Sequence, residues 1–504
     1  MKKLVFPILI FLSISYWGLL YFKIPLFQNL YYWFWDFTYK NLPMLYLVIP
    51  VLIFLLLIFY LVNIRPHNLK INLILIIFTG FIIQTGFIFT EGKGLSGLED
   101  KISNSGHSEF IKIAAKPIKM GDVVYSYESL LKSKTLGKYS NSKPPGTLLF
   151  YMGMERIADY IFNLSSEQDR YVKTVTVISY IFPFLTYLIL IPLFFISKKI
   201  LDEKYVYYPL FLYILMPNVT LITGPLDQVL FPLLFCVCII LIFKTFETLS
   251  NAYGFISGIF IYISLYFSFS LIPIIPLIIL GYLICLLKFE RYKQKKLTIS
   301  FLFLVSGFLA SHLAFFIFFN YNFYLRYYNA IEFHKNWKGW KPTFNKSIYF
   351  AFLDYIEFGI GTGISLSILF IYYIYGIFKN FAFQSKCYYY KMNEFNKSIA
   401  STIKYCILKF PSYILNLLKN LNYMDLSTLS FVIIILLLGI FGKTKAETAR
   451  LWIFLVPSIS LIVSYYLINE RKDKDTKYFT LLMFLQYLTI IFLKISQDFE
   501  HNKL

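Results

Sequence analysis

Residues 227–244 read DQVLFPLLFCVCIILIFK. An aspartate opens the run, a lysine closes it, and nearly everything between is apolar. About 20 such residues carry an α-helix across the hydrocarbon core of a bilayer. The pattern recurs along the chain. By the same rule the expected spans are 4–22, 43–63, 70–90, 173–196, 205–222, 227–244, 252–269, 271–287, 299–319, 357–378, 426–441, 450–468 and 478–494, thirteen in all. Composition agrees, with 58% of the 504 residues hydrophobic, 21% aromatic and only 15% charged. Soluble domains carry about 25% charged residues, so an ordinary cytosolic enzyme, a disordered chain and a disulfide scaffold are excluded. The expected fold class is an all-α polytopic membrane protein, with 1–504 as one membrane domain.

Cytoplasmic loops of such proteins are enriched in Lys and Arg. Lys2/Lys3, Arg65/Lys70, Lys198/Lys199/Lys204, Lys244, the run Lys288–Lys296, the segment 379–425 and Arg471–Lys477 fall on one side if 147–163 does not span. Its Glu155, Arg156 and Asp159 suit a helix lying along the interface. The N-terminus is then cytoplasmic. The first apolar run, reaching Tyr21, is too long for a signal-peptide core, and no small-residue cleavage site follows it. Within 379–425, lysines alternate with apolar residues at helical spacing, as expected of a helix on the anionic inner leaflet. The net charge of +21 owes much to these inner segments. The five cysteines have neither disulfide nor zinc spacing.

Three segments remain for the outer face: the loop 91–146, the turn 223–227 and the loop 320–347. With the interfacial helix, the first forms a candidate active-site region, 91–163. Glu109, in SGHSEFIKIAA, opens a short helix, where it can deprotonate a hydroxyl, hold a divalent cation or simply complement the helix dipole. His107 lies two residues earlier, as an acid/base partner or a surface histidine. Asp122 follows Gly121, as a second cavity carboxylate or a turn residue. Asp227 follows Gly-Pro at the mouth of its span, where it either caps the helix or points into an outer cavity. Loop 320–347 carries Arg326, Lys335, Lys338, Lys341 and Lys346 against the single acid Glu332, with His334, Trp337 and Trp340 among them. Basic and aromatic residues together suit a phosphate joined to a sugar or a lipid. Nucleic acid has no place on that side. Arg450, in KAETARLWIFLVP, starts a helix as a natural phosphate clamp or a snorkelling side chain.

The stretches SEFIKIA with GDVVYSYESLL, then SKPPGTLLFY, GPLDQVLFPLLF and AETARLWIFLVP, in this order from about 105 to 457, resemble the GT-C superfamily of membrane glycosyltransferases. Within it, the resemblance is to the protein O-mannosyltransferase and aminoarabinose transferase-like enzymes. The family carries Asp-Glu, or Asp alone, in its first loop, and here Ser108-Glu109 stands there. The resemblance implies a polyprenyl-phosphate sugar donor, an acceptor lipid, glycan or protein, and inversion at the anomeric carbon. It implies Glu109 or Asp122 as the base, with Asp227 as a further acid of the site. Lys143, Arg326 and Arg450 would hold the leaving phosphate. A divalent cation (Mg or Mn) held by Glu109 and Asp227 would complete some versions of the site. His107, His334, Lys335, Trp337 and Trp340 would meet the substrate. Two rivals are a lipid-linked oligosaccharide flippase or secondary transporter, which calls for paired broken helices, and a non-catalytic scaffold.

The orientation is testable by cysteine labelling of intact cells. A cysteine at position 338 should react with an impermeant reagent, and one at 293 should not. The reverse pattern overturns the topology.

Overall fold

The computed structural model describes residues 4–497 apart from 31–32, 34, 39–46, 64–68, 338–342, 394–415, 417, 442–446 and 472–475. Apart from one isolated bridge between Phe37 and Gln497, its regular structure is helical. In chain order the first helices are α1 (Val5–Tyr21), α2 (Val48–Asn63), α3 (Leu69–Phe89), α4 (Ser96–Asn104), α5 (Ser108–Ala115), α6 (Met120–Lys132) and α7 (Pro145–Phe162). The centre of the chain holds α8 (Glu167–Leu185), α9 (Leu190–Ile200), α10 (Tyr208–Ile214), α11 (Pro217–Thr220), α12 (Leu226–Thr248), α13 (Asn251–Phe267), α14 (Ile274–Lys288) and α15 (Arg291–Phe319). Then follow α16 (Phe323–Trp337), α17 (Phe344–Thr362), α18 (Ile364–Asn393), α19 (Tyr423–Phe441), α20 (Thr448–Leu451), α21 (Val456–Tyr465) and α22 (Lys477–Ser496).

Among the described residues, eight helices are long and apolar enough to cross a membrane, as an all-α membrane protein requires. Four shorter apolar helices accompany them: Val5–Tyr21, Val48–Leu57, Asn251–Phe267 and Ile453–Asn469. Twelve of the thirteen expected spans fall on these twelve helices. The thirteenth, 205–222, is not one helix. Pro217 has no N–H to donate and forces the residue before it out of helical geometry. Met216 is extended (φ −89°, ψ 130°), and the run breaks into α10 and α11. The break is tolerated because it is enclosed, with every residue from Val206 to Leu221 buried. The span expected at 357–378 is also displaced. Gly363 (φ 93°) ends α17, and the apolar span runs from Ile364 to Phe381. Of the inner connection 379–425, residues 394–415 and 417 lie outside the described residues.

The segment expected along the interface falls on α7, Pro145–Phe162. Glu155 and Asp159 both pair with Arg170 of α8, while Tyr160 and Ile161 on the other face are exposed.

The tightest helix pair is α13 with α15. Lipid tails give apolar helices no hydrophobic reason to associate, so close approach of small residues does the work. Gly254 and Gly258 form a G-x-x-x-G stripe on α13 against the backbone of Ser300 and Leu304, while Gly307 of α15 meets the backbone of Phe255. A Cβ at any of the three would overlap a carbonyl oxygen. Each of these helices ends beside the next element of one face of the bundle. Ser268 follows α13, Asn320 follows α15, and the 220–225 turn precedes α12. The ends around Lys199, Lys244, Lys288 and Arg291 therefore gather at the opposite face. A Gly258→Leu substitution should separate α13 from α15, costing at least the roughly 1–3 kcal/mol typical of overpacking. Thermal unfolding of the purified protein checks this, against Gly376→Leu, whose position has open space.

Candidate active site

The turn Gly224-Pro225 delivers Asp227 into the first turn of α12, where free backbone N–H groups favour a negative charge. Its side chain is 1% exposed. Three basic side chains from distant parts of the sequence surround it. Arg450 Nε lies 3.4 Å from Oδ2, His107 Nε2 3.6 Å from Oδ2, and Lys143 Nζ 3.7 Å from Oδ1.

Each basic residue is held by its own local structure. Lys143 is extended (φ −121°, ψ 158°) before Pro144, and Pro145 starts α7. Gly146 lets that helix start lie against the backbone of Tyr266 and Phe267, and Thr147 Oγ1 donates to the Phe267 carbonyl at 2.7 Å. KPPG is thus a rigid mount for one lysine. Arg450 sits in the short helix α20 and donates to Glu447 at 3.0 Å. Two buried acids of α17 fix that helix from behind. Asp354 accepts from the Thr448 hydroxyl at 2.6 Å, and Glu357 accepts from the Ala449 N–H at 3.1 Å. From α11, Asn218 donates to the Ala449 carbonyl at 3.2 Å. His107 is buried, and its Nδ1 is 2.9 Å from the Tyr151 hydroxyl. Burial lowers its pKa, against the opposing pull of Asp227, so the ring favours the neutral form.

Above this cluster opens a cavity of about 810 Å³. His107, Lys143, Arg450 and Glu447 form its inner wall, and Asp227 stands behind them. Glu109 lines the same cavity from α5. Its Oε1 accepts the Tyr139 N–H at 2.7 Å. Burial raises the Glu109 pKa above that of an ordinary carboxylate, although the bond from Tyr139 and the nearby Lys138 and Lys112 oppose the rise. The rim is aromatic. Trp337 and His334 line it, Tyr139 meets Trp337 edge-on at 5.0 Å, and Lys138 Nζ lies 4.2 Å from the Trp337 ring centroid.

The sequence expectations divide on this geometry. His107, Glu109, Lys143, His334, Trp337 and Arg450 line one cavity, and Asp227 anchors three of them. Asp122 is exposed in the first turn of α6 and is not in the cavity wall, so it is not a second site carboxylate. Its position answers the helix dipole instead. Arg326 is not a cavity cation either. It is buried, donating to Glu128 at 3.1 Å and to the Asn141 carbonyl, and so clamps α16 onto the first loop. Lys335 pairs with Glu332 one turn away, outside the cavity wall. Trp340 lies outside the described residues. Glu109 and Asp227, the two residues expected to hold a divalent cation, differ in surroundings: the Asp227 oxygens face Lys143, Arg450 and His107, and Glu109 accepts the Tyr139 N–H. Asp354, Glu357 and Glu447 were absent from the expected site. The first two did leave a signal: acids three residues apart in the apolar run YFAFLDYIEFGIG.

In comparisons with protein-family profiles, curated proteins and solved structures, nothing matches this chain.

An Asp227→Ala substitution removes the counter-charge of a buried cluster. It should cost about 3–5 kcal/mol of stability, as breaking other buried ion pairs does. Chemical denaturation of the purified variant measures the loss. Asp227→Asn, which keeps the shape, should be separable from wild type in the same direction.

Proposed function

We propose that the protein is a membrane glycosyltransferase moving a sugar from a polyprenyl-phosphate donor to a hydroxyl acceptor, at the outer end of the bundle. One observation carries this reading. Lys143 and Arg450 converge on Asp227 at the wall of a cavity that Glu109 also lines, in a protein otherwise built of apolar helices. The two cations supply point-charge and planar donors suited to a phosphate. Glu109 is half-buried with a raised pKa, which strengthens it as a base.

The reaction balances without a further cofactor. Glu109 accepts the proton of the acceptor hydroxyl. The acceptor oxygen forms a bond to the anomeric carbon as the bond from that carbon to the phosphate oxygen breaks. The configuration inverts, and the electron pair leaves with the polyprenyl phosphate. Lys143 and Arg450 offset the charge that develops there, so no protonated acid is needed at the leaving group. Asp227, Glu447 and the α17 acids act through Arg450 and Lys143, as positioning residues. Trp337 and Tyr139 offer an aromatic edge for the sugar or the acceptor.

A flippase or transporter for the same lipid-linked sugar is the second reading, and a specific feature favours it. Chain breaks at 215–216 and at Gly363 flank the site, as discontinuous helices do in transporters.

The test is transfer by the purified protein in vesicles carrying polyprenyl-phosphate sugars, with acceptors identified by mass spectrometry of cell-envelope glycans and lipids with and without the gene. Glu109→Gln should lower turnover by roughly 10²–10⁴-fold without unfolding. Lys143→Ala or Arg450→Ala should weaken donor use. Sugar-lipid crossing the bilayer with no new glycosidic bond favours the transporter. Full transfer by Glu109→Gln removes Glu109 from the chemistry.

The pH dependence follows from Glu109. A base acts deprotonated, and the Glu109 pKa lies above its ordinary value, so kcat/KM should fall as pH drops through that raised pKa. The acid limb should therefore lie above the usual glutamate range. A pH–rate profile flat down to the ordinary range of carboxylates contradicts it.

A further inference from the structure

A second cavity, of about 520 Å³, lies between α9, α12 and α21 on one side and α14 and α19 on the other. Its volume falls within the roughly 300–1,000 Å³ of small-molecule sites. It is separate from the polar cavity, which begins at the other end of α12. Pro225 lines the first, whereas Phe235 to Glu247 line the second. The wall is nearly all hydrocarbon and aromatic ring, with Phe235, Ile239, Phe246 and Ile278 as main contributors. A cavity of this kind does not hold water stably. Four of its five wall helices belong to membrane-crossing candidates, and α14 and α19 are largely exposed to their surroundings. Hydrocarbon is the available filling.

One end of the cavity is not apolar. Lys199 of α9 and Glu247 of α12 form an ion pair there, and the lysine side chain remains 42% exposed. An ammonium group has three donors, so one carboxylate does not exhaust it. Lys244, one turn earlier on α12, is outside the cavity wall, with its Nζ over the Tyr253 ring of α13 at 5.4 Å. The segments 198–204, 244–247 and 288–296, which share this end, hold nine Lys and Arg against four Asp and Glu. That excess is complementary to an anionic headgroup.

We infer that this cavity binds one acyl chain of an anionic glycerophospholipid, whose phosphate sits at Lys199. The ligand is a lipid of the leaflet opposite the proposed transfer site, distinct from the sugar donor. Gly281 of α14 is where the cavity can be closed. A Cβ there comes to 3.6 Å from the Phe246 ring, so a larger side chain grows into the space. Ser430 of α19 lines the other wall.

The experiment uses the full chain, stripped of lipid in detergent. Dioleoyl phosphatidylglycerol and dioleoyl phosphatidylcholine are added separately, and native mass spectrometry and thermal unfolding are read together. Phosphatidylglycerol should bind one-to-one about fivefold more tightly than phosphatidylcholine, given one lysine at the phosphate, and should raise the unfolding temperature. Gly281→Phe and Ser430→Phe should each abolish the adduct and the shift, and the second decides if the first does not fold. Lys199→Gln should erase the preference between the two lipids but keep chain binding. Undiminished one-to-one binding in both phenylalanine variants overturns the cavity as the site. Equal binding of the two lipids by the unmodified chain overturns the headgroup assignment.

Discussion

A carboxylate at the mouth of an apolar helix sets the terms for one end of this protein. Asp227 is almost wholly out of solvent, and an isolated charge there would cost several kcal/mol at least. Lys143 and Arg450 offset it, with His107 as a third neighbour. These residues come from the first loop and from a four-residue helix near the C-terminal end, so the cluster ties together parts of the chain more than 300 residues apart. The demand then passes outward. Arg450 needs its short helix held still, and Asp354 and Glu357 of α17 bond to that helix from behind. Lys143 needs a fixed backbone, and Pro144, Pro145 and the close approach of Gly146 to the Tyr266 carbonyl provide it.

The same lack of water shapes the helices. A broken helix leaves backbone groups without partners, and in hydrocarbon they cannot turn to solvent. The breaks at 215–216 and at Gly363 lie inside protein. Around α10 and α11, amide side chains take up part of the load: Gln84 donates to the Val219 carbonyl and Gln228 to that of Asn218. Asn218 in turn bonds to Ala449, beside Arg450. The irregular backbone and the charged cluster are therefore one connected structure.

The two ends of α12 differ in character. At one, cations face a polar cavity and are balanced by buried acids. At the other, lysines outnumber acids beside an apolar cavity. Asp227 in the first turn of α12 also complements the helix dipole. Only at the first end does a half-buried carboxylate, Glu109, line the cavity, accepting the Tyr139 N–H through one oxygen.

Sequence alone determined the class of the protein, because runs of about 20 apolar residues have few uses outside a bilayer. It also placed Glu109, His107, Lys143, Arg450, His334 and Trp337 on segments that do share a cavity, since a charge beside an apolar run stands out. It did not determine the roles. Asp122 and Arg326 looked equivalent to Glu109 and Arg450, yet one is exposed and the other is spent on Glu128 and Asn141. Nor did it reveal the break before Pro217 as the end of a span, because hydropathy counts residues and ignores which backbone groups have partners. Whether a charged side chain is available to a ligand depends on what packs against it from distant segments. Only the tertiary structure sets those neighbours, because burial and ion pairing are properties of the assembled bundle and not of local sequence.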